Sequence, residues 1–63
     1  MEVYILTTYE YNTYSYSGII ENEQYIHATE KGAREHAEKL KLKIVNYAEY
    51  DSEAIIEKSN LLE

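Results

Sequence analysis

The chain has no cysteine, no phenylalanine and no tryptophan among its 63 residues. Without cysteine it can form neither a disulfide bridge nor a cysteine-based zinc site. A chain of this length lies near the lower size limit for folding without such covalent or metal support. We therefore expect a single domain over residues 1–63 that is stabilised further as a homodimer.

Long hydrophobic runs are also missing. The longest uninterrupted apolar runs contain about four residues, far short of the roughly 20 that span a bilayer. The N-terminus, MEVYIL, lacks the basic region of a signal peptide. We expect a chain that makes no membrane contact and resides in the cytoplasm.

Basic residues are scarce, because six lysines and arginines face twelve acidic residues, with a net charge of -6 and a pI near 4.8. This charge repels phosphates, so we expect a basic protein as the partner and no direct binding to nucleic acid. One interpretation of the carboxylates is a solvated, solubilising surface. The other is a DNA mimic, whose carboxylates occupy the nucleic-acid-binding groove of an enzyme. The sequence leaves both open.

Groups suited to catalysis are few. His27 and His36 are the only imidazoles, and no serine lies in a nucleophile-elbow or glycine-rich context. Glu35 and His36 are adjacent, so on a helix they point about 100° apart and cannot share one proton or metal. The sequence predicts a protein that is not an enzyme and that has no cofactor and no metal site.

Tyrosine is abundant, with eight residues in all and four of them in YEYNTYSYSG, residues 9–18. Tyrosine pairs stabilise small sheets, and tyrosine also suits protein interfaces because its ring is large and its hydroxyl tolerates water. Base stacking would require a positive groove, for which the basic residues are too few. Acidic residues downstream would speed encounter with a basic partner. The predicted partner-binding residues are Tyr9, Tyr11, Tyr14, Tyr16, Glu49, Asp51 and Glu53.

The first 28 residues predict a β-hairpin. EVYILTTYEY, residues 2–11, is rich in β-branched and aromatic residues and favours a strand. Residues 12–18 are polar, end in glycine and indicate the connection. A second strand is predicted over residues 18–28, with Ile20 among its buried side chains. The ENEQ segment, residues 21–24, leaves open whether this is one bent strand or two short ones.

The second half predicts a helix, a strand and a short helix. Thr29 is a good N-cap, and small residues then recur at helical spacing, which indicates a helix over residues 30–41. LKIVNYAEY, residues 42–50, has side chains that would alternate between two faces, and it predicts a third strand. Asp51 or Ser52 can cap a last amphipathic helix.

These elements predict an α+β fold of ββαβα order with a three-stranded antiparallel sheet. A right-handed crossover gives the strand order 2-1-3, in which the first strand is central. The main helix covers one face of the sheet, and the other face or the short C-terminal helix is left for a second copy. The predicted dimer interface contains Tyr4, Leu6, Ile55 and Leu62.

MEVYILT and TEKGAREHAEKL, within roughly residues 1–42, resemble segments of the very small phage and prophage proteins that join a Met-x-Val-Tyr strand to a Thr-capped or Ser-capped helix. Those proteins include inhibitors of bacterial immunity, such as anti-CRISPRs and inhibitors of the Hachiman and Thoeris systems. The resemblance implies a non-catalytic inhibitor that binds and blocks a bacterial immune effector in the host cytoplasm. The resemblance does not assign a role to any individual residue of this chain. A DNA mimic and a self-assembling structural or regulatory protein are the alternatives.

Overall fold

The computed structural model describes residues 1–14, 16 and 18–60. Over these residues the chain forms four strands and one helix, which confirms the α+β class. The elements are β1 Glu2–Tyr11, β2 Ile19–His27, α1 Glu30–Lys39, β3 Lys43–Ile44 and β4 Glu53–Asn60. The strands form one mixed sheet in the order β2-β1-β4-β3, in which β1 is antiparallel to both of its neighbours and β3 is parallel to β4.

The core lies between α1 and one face of the sheet. Leu6 of the central strand is fully buried there against Ala37 of α1 and Ala54 of β4. The alanines allow the helix to approach the sheet closely, because they place little bulk between the two layers. Side chains alternate along β1, so its other residues project to the sheet face opposite α1. We call this second face the open face; it includes Ile5, Tyr9, Ile26 and Ile55.

The third antiparallel strand is not the predicted one. Residues 42–50 form a strand only at Lys43–Ile44, on the edge of the sheet, and the partner of β1 is β4, where the sequence predicted a helix. In β4, Ala54 and Ile56 project toward α1 at alternate positions, so a strand buries both against the core. The predicted helix took part of its apolar side from residues 61–62, which lie outside the described residues.

The helix begins where the sequence predicts. The Thr29 hydroxyl accepts a hydrogen bond from the Gly32 amide at 3.0 Å, which satisfies one of the free amides of the first turn. Ala33 and Ala37 are the buried residues of α1. The N-cap prediction is confirmed.

The helix ends two residues earlier than predicted. The Lys41 amide donates to the Glu38 carbonyl at 3.0 Å, and the Leu42 amide donates to the Ala37 carbonyl at 2.9 Å. These bonds form a Schellman motif, which places Lys41 in the left-handed region at φ 59°. The reversal returns Leu42 to the core, where it packs beside the central cluster.

Strand β2 is one continuous strand with a bulge, which answers the question left open for the ENEQ segment. Thr7 pairs with Gln24, but Tyr9, two residues on, pairs with Glu21. Because β2 contains one extra residue at this point, side chains on the two sides of the bulge alternate between the faces of the sheet in opposite phase.

The bulge determines which isoleucine is buried. Thr8 holds the bulge, because its hydroxyl accepts from the Glu23 amide at 3.1 Å and donates to the Glu23 carbonyl at 3.3 Å. Beyond the bulge, Ile19 projects to the open face and is 8% exposed, whereas Ile20 is 37% exposed. The prediction that Ile20 is buried was wrong because sequence alternation did not include this shift.

Candidate functional site

The turn between β1 and β2 positions one side of the candidate site. The Asn12 amide donates to the Gly18 carbonyl at 2.8 Å, and the Asn12 side-chain oxygen accepts from the Tyr14 amide at 2.8 Å. Gly18 has φ 84°, a left-handed conformation that glycine adopts without the strain of a Cβ. The closed hairpin brings Tyr11 opposite Ile19, its register partner.

The segment that leads into β4 forms the other side. One carboxylate oxygen of Glu53 accepts from the Glu49 amide at 2.8 Å and from the Tyr50 amide at 3.0 Å. The Glu53 amide in turn donates to the Tyr50 carbonyl at 3.2 Å. The Glu53 side chain therefore ties the backbone of this loop to the start of β4 through one of its two carboxylate oxygens. Its predicted role in partner binding stays a prediction.

The two segments meet in a pocket of about 260 Å³, which we call the acidic pocket. Ile19 supplies buried apolar surface, two tyrosines add aromatic rings, and two carboxylates add negative charge. Within the described part of the chain neither carboxylate takes part in an ion pair. The lining residues are Tyr11, Gly18, Ile19, Glu49, Tyr50 and Asp51.

This arrangement is suited to binding a small cation. Aromatic faces attract cations through their quadrupole, and carboxylates accept charge-assisted hydrogen bonds. The pocket is smaller than the roughly 300–1,000 Å³ of sites for drug-sized ligands, so a single side chain fits it better than a large metabolite. Among the described residues that line it there is no histidine, and the chain contains no cysteine.

The structure brings together only some of the predicted partner-binding residues. Tyr11, Glu49 and Asp51 line the acidic pocket, and Tyr9 lies on the open face beside it. Tyr14 and Tyr16 are fully exposed in the hairpin connection and are not part of the pocket lining. Tyr50 and Ile19 also line the pocket but were not among the predicted partner-binding residues. Tyr50 could have been predicted from its position between Glu49 and Asp51, whereas the burial of Ile19 depends on the bulge and could not.

Tyr9 is half-buried on the open face. Burial, and then the nearby carboxylates of Glu21 and Glu57, raise the pKa of its hydroxyl above the ordinary value. Tyr9 thus presents an apolar ring and a hydroxyl group close to two carboxylates. Such a group can contact both apolar and polar parts of a partner.

The predicted dimer residues do not form one surface. Tyr4 and Leu6 project to the face covered by α1, whereas Ile55 lies on the open face. Leu6 has no exposed surface, so it cannot contact a second copy as the sequence analysis expected. Leu62 lies outside the described residues. Homodimerisation itself stays a prediction, without an interface from this set.

The two histidines form a contact that sequence reasoning missed. His27 Nε2 lies 2.9 Å from His36 Nδ1, and the ring of His36 meets the edge of Tyr25 with 4.5 Å between ring centroids. One imidazole donates and the other accepts, so each satisfies a half-buried nitrogen of the other. The sequence could have indicated this contact, because His36 lies three residues after Ala33 and therefore on the helix face that packs against β2. Within residues 1–14, 16 and 18–60, no three histidine or carboxylate side chains are grouped so as to hold a metal ion.

Comparisons of this chain with known proteins found no matching family model, no matching curated protein and no matching solved structure. The helix of the described region is too short and too polar to cross a membrane. The acidic pocket and the surface around it are therefore the features of the molecule that indicate a function.

Proposed function

We propose that this chain is a small, non-catalytic protein-binding module that recognises a basic surface on another protein. The observation that carries the proposal is the acidic pocket, which is lined by two tyrosines, two acidic residues and the buried Ile19. Tyrosines beside buried apolar surface are typical of the residues that dominate binding energy at protein interfaces.

The open face extends this surface beyond the pocket. Ile5, Tyr9 and Ile55 are half-buried there, and Ile26 is 62% exposed. Tyr9 and Tyr11 lie at alternate positions of β1, so the apolar strip continues into the acidic pocket. The carboxylates that act on Tyr9 lie on the same side. An apolar centre with an acidic margin is complementary to a basic partner.

The distribution of charged side chains also indicates that a cationic partner would bind at the acidic pocket. In the described part of the chain, three exposed ion pairs join Lys31 to Glu35, Arg34 to Glu30 and Lys58 to Glu2, along α1 and near the start of β1. No lysine or arginine lines the acidic pocket. Glu49 and Asp51 take part in none of the described ion pairs, so their negative charge can raise the association rate with a cationic surface.

The target that best fits the sequence resemblance is a bacterial immune effector, which the chain would block by occupying a basic functional surface. In this form of the proposal the chain is a phage-encoded inhibitor that acts in the host cytoplasm. Blocking by occupancy requires no catalytic group.

The experiment compares three tagged baits in bacterial lysate, each with and without added duplex DNA. The baits are the wild-type chain, the pocket variant Tyr11→Ala with Asp51→Asn, and a control variant, Tyr47→Ala with Glu38→Gln. The control removes one exposed tyrosine and one carboxylate outside the pocket lining. Captured proteins are then purified, and their affinities for all three chains are measured by calorimetry.

We expect one protein to bind the wild-type chain and the control in both arms and to be lost with the pocket variant. Loss of the protein only when DNA is present would instead support a DNA mimic. Equal binding by the pocket variant and the control, with intact circular dichroism spectra, would refute the assignment of the pocket. Recovery of the bait alone would favour a self-assembling protein.

A further inference from the structure

We infer that the acidic pocket receives a single arginine side chain of the partner protein. This inference rests on the proposed function and adds the chemical class of the group that is recognised. It depends on three properties of the pocket: its volume, its pair of tyrosines and its two carboxylates outside any described ion pair.

A cation is favoured over a neutral or anionic group. Glu49 and Asp51 contribute two negative charges, which repel any anion. A neutral apolar group would bury against Ile19 but would leave both carboxylates without a partner of opposite charge. A cation satisfies the carboxylates and is also attracted to the faces of Tyr11 and Tyr50.

Arginine fits this lining better than lysine does. Its guanidinium is planar, stacks on aromatic rings and donates two parallel hydrogen bonds to a carboxylate, whereas a lysine ammonium is a compact and strongly hydrated point charge. Tyr11 and Tyr50 are 69% and 63% exposed, so the pocket does not remove all water from its occupant. The preference for arginine in this partly open site therefore comes from ring stacking and paired hydrogen bonds rather than from a difference in hydration.

The pocket is held in one shape before a partner arrives. Glu53 accepts hydrogen bonds from the backbone amides of Glu49 and Tyr50, and both of these residues line the pocket. A loop that is already ordered loses less conformational entropy on binding. Glu53 is thus a positioning residue, which contacts the loop and not the arginine.

The test is a titration of the ¹⁵N-labelled full chain with N-acetyl-arginine methylamide, followed by amide chemical shifts. The citrulline analogue has nearly the same shape without the charge, and the lysine analogue keeps the charge without the planar fork. We expect saturable shifts at Gly18, Ile19 and Tyr50 with the arginine probe. The lysine probe should bind severalfold more weakly, and the citrulline probe should cause no saturable shift.

Variants locate the binding. Tyr50→Leu should weaken the arginine probe about two- to fivefold, as expected for the loss of one exposed cation–π contact. Asp51→Asn should weaken it by at least as much, and Tyr47→Leu should leave it unchanged. Glu53→Ala should weaken the probe and broaden the Glu49 and Tyr50 amide signals, whereas a purely electrostatic role would leave their line widths unchanged.

Two results would overturn the inference. One is equal binding of the arginine and citrulline probes; the other is a set of non-saturating shifts that spread over the acidic surface and vanish with added salt. Either could occur while the lysate experiment still identifies a partner that depends on the pocket. In that case the protein-binding proposal would stand and only the arginine assignment would fail.

Discussion

Replacing Thr8 with valine tests whether the β2 bulge depends on a single hydroxyl. Valine has nearly the same shape as threonine and an equal preference for strands, so packing changes little. The hydroxyl that accepts from the Glu23 amide and donates to the Glu23 carbonyl is lost. Thr8 is only 6% exposed, so water has little access to its side of the bulge.

The expected loss in free energy of unfolding is about 1–2 kcal/mol, because a buried donor and acceptor lose their partner and are only partly rehydrated. A 63-residue chain has a total stability of roughly 3–9 kcal/mol. The loss is therefore a substantial fraction of the total. In a domain of this size it lowers the melting temperature by about 4–8 °C per kcal/mol.

Thr7→Val is the matched control. Thr7 is 5% exposed and accepts only a 3.4 Å hydrogen bond from the Gln24 amide group, which is exposed and can bond to water instead. We expect this variant to lose less than about 0.5 kcal/mol. Urea unfolding of both variants, followed by circular dichroism, gives the comparison.

The same substitution should affect the acidic pocket. If the bulge slips, Ile19 no longer projects beside Tyr11, so the arginine probe should bind Thr8→Val more weakly than Thr7→Val. The reasoning would be refuted if Thr8→Val were as stable as Thr7→Val and kept the wild-type affinity for the probe. Such a result would mean that pairing along the rest of β1 and β2 maintains the bulge.

Three other predictions concern separate features. Lys41→Gly should raise the free energy of unfolding by about 0.5–1 kcal/mol in urea titrations, because glycine has no Cβ strain at φ 59°; no gain would show that the Lys41 side chain compensates. In ¹³C-tyrosine NMR, Tyr9 should titrate above its ordinary pKa of 10.0, and Glu21→Gln should lower that pKa. Because folding raises this pKa, the Tyr9 contribution to stability is complete below pH 10 and is lost as pH rises through the folded value, so stability should fall in that range. Alanine substitutions of His27 and His36, alone and together, should show a coupling energy of about 0.5–1.5 kcal/mol in a double-mutant cycle, and additive effects would exclude a stabilising hydrogen bond.

Local sequence determined β1, α1 and its N-cap. The run of β-branched and aromatic residues from Glu2 to Tyr11 has the same bounds in the structure as in the prediction. Thr29 caps a helix because its hydroxyl reaches an amide three residues away, an interaction within one turn. Features of this kind depend on neighbours in sequence, so a single sequence is enough to predict them.

The register of β2 and the identity of the third strand depended on tertiary structure. Whether residues 53–60 form a helix or a strand is decided by β1, which offers an antiparallel edge for that segment. The bulge likewise arises from the pairing of two strands, and because of it Ile19 is buried instead of Ile20. Neither interaction is local: the bulge is held by Thr8 and Glu23, which are 15 residues apart, and β1 and β4 come from opposite ends of the described chain.

The candidate site combines both kinds of information. The sequence by itself determined that the chain is acidic, rich in tyrosine and poor in catalytic groups, and it selected Tyr11, Glu49 and Asp51. Only the tertiary structure placed these residues around one pocket, added Tyr50 and Ile19, and assigned Glu53 to the loop. The physical reason is that composition sets the charge and surface chemistry of a chain, whereas a pocket requires contacts between segments that only folding brings together.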